Sequence, residues 1–287
     1  MTARVVGVIG GSGLYDLPEL TERREHAVTT TFGAPSDVVM EGRIGSTRYL
    51  FLPRHGRGHR IAPHEINYRA NVLALKQLGA EQIVSISAVG SLREDRRPGE
   101  LVVVDQFIDR TRMRPSTYFE GLGVVAHVSF ADPVDHALAS ALFAAAEESG
   151  AKVHRGGTYV CIEGPQFSTR AESRTYQSWG ADVIGMTNVP EARLAREAQL
   201  PYATLALVTD YDAWRAEEEG VTVADVVAVL HKNVESARRT LVAIAGRLPD
   251  PATSPARTAL AHAILSAPGN VTPEARRKLA HILPSSL

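Results

Sequence analysis

Groups that donate hydrogen bonds follow each of the first three predicted strands of the chain. A glycine-rich turn around Ser12 comes after the first strand, where backbone N–H groups can approach an anion closely. Arg54 and His55 follow the second strand, and an arginine guanidinium can hold a phosphate with two N–H groups. The hydroxyl of Ser87 and the backbone N–H of Ala88 follow the third strand. Because these groups donate rather than accept hydrogen bonds, together they predict a site for an oxyanion.

Each of these groups also has an alternative explanation. The glycine-rich turn could only reverse the chain, and the basic run at residues 53–60 could be a solvated loop. A dinucleotide-binding pattern fails because Asp16 stands where its third glycine belongs, and no Gly-Lys pair exists for a Walker loop. His55 and His59 have the spacing of a helical metal pair, but two glycines lie among them and no further ligand type is nearby. We therefore expect no metal.

Two later segments also place chemically useful side chains after strands. Phe167 lies in a Gly-Pro loop before a helix, where an aromatic ring either plugs the fold or offers a platform to a ligand. Asp210 and Asp212 follow the last predicted strand, where a solvated turn is the alternative to a functional pair of carboxylates. All three residues are candidates for ligand contacts.

Short apolar runs rich in Val and Ile predict the strands that position these residues. They end in Gly, Pro or charged residues, as buried parallel strands do, and they are residues 5–9, 49–52, 82–87, 101–104, 158–162, 182–186 and 203–208. Helical patterns lie between several of them, at residues 67–78, 135–149, 190–200 and 223–247. The alternation predicts an α/β fold, with one central mixed, mostly parallel twisted sheet flanked by helices. In such sheets, ligands bind beyond the carboxyl ends of the strands.

The composition fits one globular domain. The 287 residues are 44% hydrophobic, and 31 basic against 32 acidic residues give a net charge of −1, which disfavours nucleic-acid and membrane partners. The lone Cys161 lies in an apolar run and is expected to be a buried hydrophobe rather than a catalytic thiol, which fits a reducing, cytoplasmic location. We expect residues 1–247 to form the domain. Residues 248–287 should form a Pro-rich linker and a helical tail, packed on the same domain or on a neighbouring subunit.

Taken in order, the motifs resemble those of one known family, the S-methyl-5′-thioadenosine phosphorylase branch of the trimeric purine nucleoside phosphorylases. The similar segments are GVIGGSGLYD, PRHGRGH, NYRANVLALK, SAVGSLRE, DQFIDRT, MRPSTYF, IEGPQFSTRAES, MTNVPEARLA and VTDYDAW. The resemblance runs from the first strand to about residue 245, and the combination is specific although each piece is not. It implies a nucleoside phosphorylase-like fold and a homotrimer in which a neighbouring chain helps to close the pocket.

The resemblance also implies roles for individual residues. Around the phosphate it places Ser12, Arg54, His55, Ser87, the Ala88 amide and Thr187. Around the nucleoside it places Phe167 on the purine, Met186 on the ribose, Asp210 and Asp212 facing the base, and His127 and Val223 near the 5′ group. Ser12 and Ser87 stand where threonine is more usual, and Gly185 stands where a larger polar residue can occur. The implied co-substrate is inorganic phosphate, with no cofactor.

The implied reaction is phosphorolysis of S-methyl-5′-thioadenosine, or of a closely related 5′-substituted adenosine, to adenine and 5-methylthioribose 1-phosphate. Breaking the ribose–purine bond builds positive charge on the sugar and negative charge on the base, so a bound phosphate serves as nucleophile and counter-charge. Asp210 would stabilise the leaving base through a proton at purine N7, which requires a raised carboxyl pKa.

The preference for adenine depends on Ser168 and Asp210. By the same resemblance, related 6-oxopurine enzymes have Glu and Asn at these two positions. A Glu carboxylate accepts the N1–H of a 6-oxopurine but would leave adenine N1 unpaired, at a cost of about 1 to 3 kcal/mol. Adenine is therefore favoured. A 6-oxopurine nucleoside phosphorylase, acting on inosine, guanosine or methylthioinosine, a hydrolase and a non-catalytic nucleoside-binding protein remain as alternatives.

Overall fold

The computed structural model describes residues 4–215 and 223–284. The strands in this part of the chain are β1 (Val5–Gly10), β2 (Thr21–His26), β3 (Val39–Ile44), β4 (Thr47–Pro53), β5 (Gln82–Ser91), β6 (Leu101–Val104), β7 (Gln106–Arg110), β8 (Val153–Arg155), β9 (Thr158–Ile162), β10 (Val183–Gly185) and β11 (Tyr202–Asp210). The helices are α1 (Tyr68–Gln77), α2 (His136–Glu148), α3 (Arg170–Ser178), α4 (Asn188–Glu197), α5 (Val223–Ile244) and α6 (Pro273–Lys278). Short 3₁₀ turns follow β1 and interrupt the segment after α5.

All eleven described strands join one sheet with a parallel centre. β1 pairs in parallel with β4 and β5, β5 with β11, and β9 with β7 and β10. β6 pairs in parallel with β8. The antiparallel pairs are β2–β3, β3–β4, β5–β10 and β6–β11. The prediction of a mixed, mostly parallel sheet in an α/β fold is confirmed.

Local capping explains where three of the helices begin. The Asn67 side chain accepts a hydrogen bond from Ala70 N at the start of α1, and Asp135 accepts one from Leu138 N at the start of α2. At the start of α3, Thr169 and Glu172 form a reciprocal capping box. At the start of α4, by contrast, the hydroxyl of the cap residue Thr187 makes no capping hydrogen bond.

Helices cover both faces of the sheet, as the alternation of strands and helices predicts. On one face Leu73 of α1 and Leu194 of α4 pack in the same core cluster, which also contains Leu279 near the C-terminus. On the other face Leu138 of α2 and Leu241 of α5 share a second cluster. Successive residues of β1 and β4 alternate between the two clusters, which is the period-two arrangement of a buried strand. None of the helices described here has the length and apolarity needed to cross a membrane.

Candidate active site

β1 and β4 end side by side at Gly10 and Pro53, as expected for neighbouring parallel strands, whereas β5 continues past Ser85, the partner of Ile9, to Ser91. Ser87 and Ala88 therefore lie within β5 and not after its end, where the sequence predicted them. Arg54, directly after β4, donates its backbone N–H to the Gly10 carbonyl at the end of β1, at 2.8 Å. Thr187 arrives after β10, and its hydroxyl oxygen lies 3.2 Å from Ser87 Oγ. Ala88 is exposed beside Ser87. The structure therefore brings together four of the predicted phosphate-site positions from distant parts of the chain.

The Arg54 guanidinium binds a carboxylate with the two-pronged face that we expected to hold phosphate. Its Nε lies 2.8 Å from one oxygen of Glu191, and its Nη2 lies 3.1 Å from the other. Both side chains are almost fully buried, at 3% and 0% exposure. Nη2 also donates to Ser85 Oγ and the Ile9 carbonyl, and Nη1 donates to the Ile86 carbonyl. Within the described residues, these bonds leave one Nη1 N–H for an anion.

The charge of Glu191 keeps Arg54 ionised in this buried position. Burial alone would lower the pKa of Arg54, but the charge and hydrogen bonds of Glu191 raise it above its ordinary value. The two charges cancel each other. Arg54 therefore offers the anion site a fixed N–H donor rather than an uncompensated positive charge.

His55 is an acceptor as well as a donor, in contrast to the expectation of donors alone. Burial lowers its pKa to about 4, so the ring is neutral at pH 7. Nδ1 lies 2.8 Å from the Ile61 carbonyl oxygen and must carry the ring proton to bond with it, which leaves a lone pair on Nε2. The ring stacks on His59, with the ring centres 4.2 Å apart. The Nε2 atom of His55 can therefore accept a hydrogen bond from a protonated phosphate oxygen.

The carboxylates of Asp210, the last residue of β11, and of Asp212 lie close to β5, three residues beyond Ser87. A methyl group built on Gly90 would lie 3.0 Å from Asp210 Oδ1 and 3.2 Å from Asp212 Cβ. Burial raises the pKa of Asp210 although Thr209 donates a hydrogen bond to it, and the charge of Asp212 raises it further. Burial also raises the pKa of Asp212. The raised pKa that a leaving-group role requires is therefore present at Asp210.

Three buried polar atoms, two of them on the neighbouring residues Ser173 and Asp212, form no hydrogen bond of normal geometry with the described residues. They are Ser168 Oγ, Ser173 Oγ and Asp212 Oδ2. Buried hydroxyl and carboxylate oxygens are almost always hydrogen-bonded in folded proteins, and a buried polar group left unpaired costs about 1 to 3 kcal/mol. A ligand with both donor and acceptor atoms would satisfy them.

Arg114 joins the loop that carries Phe167 to the end of β10. It donates to the Glu163 carboxylate at 2.8 Å and to the Met186 carbonyl at 2.6 Å. A side chain at Gly164 would meet Met186 Sδ at 2.5 Å, so the loop lies directly against Met186. Phe167 itself is 84% exposed. Its ring is not a packing plug, and that alternative is wrong.

His127 lies elsewhere in the chain, away from the cluster at the strand ends. It lines a cavity of about 900 Å³ between the start of α2 and the segment after α5. Gln82, at the start of β5, lines the same cavity, whereas Ser87 lies further along that strand. One chain therefore does not bring His127 to the predicted site. The side chains of Ser12 and Val223, two further predicted positions, lie outside the described residues.

Several buried residues that contact the predicted site residues were missed at the sequence level, among them Arg114, Glu191 and Tyr159. Glu191 pairs with Arg54, and Tyr159 of β9 lies with its hydroxyl 3.2 Å from Ser87 Oγ. Helical periodicity could have indicated Glu191, because it shares the buried face of α4 with Ala195. Tyr159 gave no such signal, since an aromatic residue in an apolar strand is usual.

Comparison with known proteins gives a consistent result across nearly the whole chain. Residues 5–245 match the phosphorylase superfamily. A protein from Geobacter sulfurreducens named S-methyl-5′-thioadenosine phosphorylase is 50% identical over 282 residues, which cover 98% of this chain and 99% of that protein. A protein of the same name from Thermosynechococcus vestitus is 51% identical, and the match covers 99% and 98% of the two chains.

Solved structures agree with the sequences. The crystal structure of a methylthioadenosine phosphorylase from an antarctic soil metagenomic library superposes with a TM-score of 0.93 at 45% identity, covering 99% of this chain and all of that one. The methylthioadenosine phosphorylase of Schistosoma mansoni, solved in complex with adenine, gives a TM-score of 0.79 at 42% identity, covering 85% and 91% of the two chains. The chain therefore belongs to the phosphorylase superfamily, within the family of the S-methyl-5′-thioadenosine phosphorylases.

Proposed function

We propose that this chain catalyses the phosphorolysis of S-methyl-5′-thioadenosine, or of a closely related 5′-substituted adenosine, to adenine and 5-methylthioribose 1-phosphate. The observation that carries the proposal is the arrangement along β5. Hydrogen-bond donors for an anion gather around Ser87, and the carboxylates of Asp210 and Asp212 lie over Gly90, three residues further on. An anion and a base could thus be held on either side of one sugar. Relatives at about half identity carry the name of this activity.

The phosphate site consists of Ser12, Arg54, His55, Ser87, the Ala88 amide and Thr187. Because Glu191 cancels the charge of Arg54 and His55 is neutral at pH 7, these two residues add no net charge to the site. Hydrogen bonds would hold the phosphate without neutralising it. The phosphate would then keep its negative charge to stabilise the positive sugar that forms as the base departs. The hydroxyl of a singly protonated phosphate would donate a hydrogen bond to His55 Nε2.

Asp210 stabilises the leaving base. Its raised pKa allows the carboxyl group to carry a proton at higher pH than an ordinary aspartate, and to share that proton with purine N7 as negative charge develops there. A protonated carboxyl group and a purine nitrogen form a charge-assisted hydrogen bond in the transition state. The sugar needs no side-chain nucleophile, because phosphate attacks it directly.

The remaining base and sugar contacts come from the Phe167 loop and the end of β10. The exposed ring of Phe167 stacks on the purine, and Met186 packs against the ribose. The unpartnered oxygens of Ser168 and Asp212 bond to the edge of the base, with the carboxylate accepting from the 6-amino group of adenine. This polarity favours adenine over a 6-oxopurine, which has an acceptor at that position.

His127 and Val223 contribute to the 5′ pocket, and His127 does so from a neighbouring subunit of a homotrimer. Its distance from the strand ends within one chain supports this assignment, since only a second chain could bring it to the sugar. Molar mass by light scattering tests the trimer. A monomer that retains full activity would contradict the shared pocket.

The function is tested by rates with methylthioadenosine, adenosine, a 5′-halogenated adenosine and methylthioinosine, each with and without phosphate. We expect methylthioadenosine to react fastest, with formation of adenine that requires phosphate. Equal rates without phosphate would indicate a hydrolase. Faster reaction of methylthioinosine would indicate a 6-oxopurine phosphorylase, and binding without turnover of any substrate would indicate a nucleoside-binding protein.

A further inference from the structure

The hydroxyl group of Tyr159 extends from an apolar cluster toward the hydroxyl groups of Ser87 and Thr187 in the predicted phosphate site. The residue is fully buried near the start of β9 and packs with Val89 and Val183. Its hydroxyl oxygen lies 3.2 Å from Ser87 Oγ, and Ser87 Oγ lies 3.2 Å from Thr187 Oγ1. The Thr187 backbone N–H also points at the Tyr159 oxygen, at 3.5 Å. One tyrosine hydroxyl thus contacts both residues.

Gly185 creates the space for this hydroxyl. A methyl group built on Gly185 would lie 2.0 Å from the Tyr159 oxygen and 2.6 Å from the ring carbon that carries it. The backbone of Gly185 is ordinary strand, so glycine is needed here for space and not for its conformational freedom. The sequence has glycine at position 185, where a larger polar residue can occur in relatives. In this structure the hydroxyl end of Tyr159 occupies the space that such a side chain would need.

The hydroxyl protons decide what this contact can do. Each hydroxyl has one proton, so a Ser87 proton spent on Thr187, or on the Ala88 carbonyl at 3.4 Å, cannot bind an anion. A proton donated by Tyr159 to Ser87 Oγ would occupy the side of Ser87 that faces the core. Burial raises the pKa of Tyr159 to about 12, so its hydroxyl keeps its proton at neutral pH.

We propose that Tyr159 is a positioning residue of the phosphate site: its hydroxyl donates to Ser87 and so directs the Ser87 and Thr187 hydroxyls toward the bound anion. The proposal rests on the proposed function for the identity of the anion. It adds that phosphate affinity depends on a residue that does not touch phosphate. A serine hydroxyl rotates freely, and this one is held by the tyrosine.

The test is Tyr159→Phe, which removes the oxygen and keeps the ring. We expect the KM for phosphate to rise about fivefold, corresponding to the ~1 kcal/mol of one hydrogen bond, with the KM for the nucleoside unchanged. We expect kcat at saturating phosphate to stay within about twofold, because only binding of the anion is affected. The dissociation constant of inorganic phosphate, measured by calorimetry without nucleoside, should rise by the same factor.

A matched control variant separates this role from a structural one. Tyr49→Phe removes another fully buried tyrosine hydroxyl, which donates to the Leu241 carbonyl at 2.6 Å, and it should leave phosphate affinity unchanged.

The outcomes distinguish this inference from the proposed function. Phosphate binding equal in wild type and Tyr159→Phe overturns the positioning role, whether or not the enzyme turns over. Weaker binding in Tyr159→Phe, with binding unchanged in Tyr49→Phe, supports the role even if the wild type catalyses no phosphorolysis. A wild type that binds no phosphate overturns both.

Discussion

Replacing Glu191 should destabilise the protein far more than replacing a carboxylate on the surface. Glu191 is fully buried and is the only charged partner that the described residues offer to the Arg54 guanidinium. In Glu191→Gln the arginine stays buried but loses the compensating charge. Breaking a buried ion pair by removing one partner is costly because the remaining charge cannot be solvated.

The size of the loss follows from the bonds that remain. Removing one member of a buried pair costs about 3 to 5 kcal/mol. Arg54 still donates to the carbonyls of Ile9 and Ile86 and to Ser85 Oγ, so we expect about 3 kcal/mol for Glu191→Gln, the low end of that range. Glu191→Leu also removes the acceptor of the Ser85 hydroxyl at 2.7 Å, and a lost hydrogen bond adds about 1 kcal/mol.

Glu191→Leu also removes the acceptor of the Tyr202 hydroxyl, which donates to Glu191 at 2.9 Å, and the loss of this hydrogen bond adds about 1 kcal/mol more. The total for Glu191→Leu is therefore about 5 kcal/mol. The matched control is Glu148→Gln, because Glu148 and its partner Arg247 are 56% and 39% exposed. Exposed pairs contribute about 0 to 1 kcal/mol.

The assay is urea denaturation of the three variants and the wild type at one protein concentration, followed by fluorescence. We expect the order wild type, Glu148→Gln, Glu191→Gln, Glu191→Leu, from most to least stable. A loss for Glu191→Gln no larger than that for Glu148→Gln would refute the reasoning. The buried arginine would then not depend on its carboxylate partner.

Three further predictions concern catalysis, the substrate loop and pH. Asp210→Asn should lower kcat by about a hundredfold or more while substrate binding, measured by calorimetry, changes little; equal turnover would remove the leaving-group role. Arg114→Lys loses the planar guanidinium group that joins the Phe167 loop to Met186, so the KM for the nucleoside should rise more than the KM for phosphate. The control Arg112→Lys, at an exposed position, should change neither KM. His55 has a pKa lowered from 6.5 to about 4. Between these two pKa values the unfolded chain binds a proton at His55 that the folded chain does not, so the free energy of unfolding should fall as the pH falls from 6.5 to about 4. His55→Asn should flatten this part of the curve of stability against pH. An identical slope in wild type and variant would contradict the prediction.

The sequence located the strands of the sheet centre because both of their faces are buried. All seven predicted runs are strands, since a strand covered on both sides must be apolar at nearly every position. The strands that were missed are β2, β3, β7 and β8. β2 reads TERREH and lies at the edge of the sheet, largely exposed, so no apolar pattern marks it.

Residue types at the strand ends also identified the kind of site without the fold. Ser87 and Thr187 were predicted to act together, and the structure brings their hydroxyls within 3.2 Å. The reason for this contact is not the one expected from parallel strands. β10 runs antiparallel to β5, with Val183 opposite Ser91 and Ile184 opposite Gly90, so the residues after β10 come to lie beside Ser87 within β5. For Thr187 the signal was the family motif MTNVPEARLA, since a lone threonine after a short strand is ordinary.

Tertiary structure alone decided which partner each of these groups has. Arg54 faces Glu191 from 137 residues away, and Tyr159 reaches Ser87 through the space left at Gly185. The direction of a guanidinium, the tautomer of a histidine ring and the space beside a glycine depend on atoms from distant segments that meet only in the folded chain. Local sequence determines where a strand ends and which groups follow it, whereas packing determines how those groups share their protons and charge.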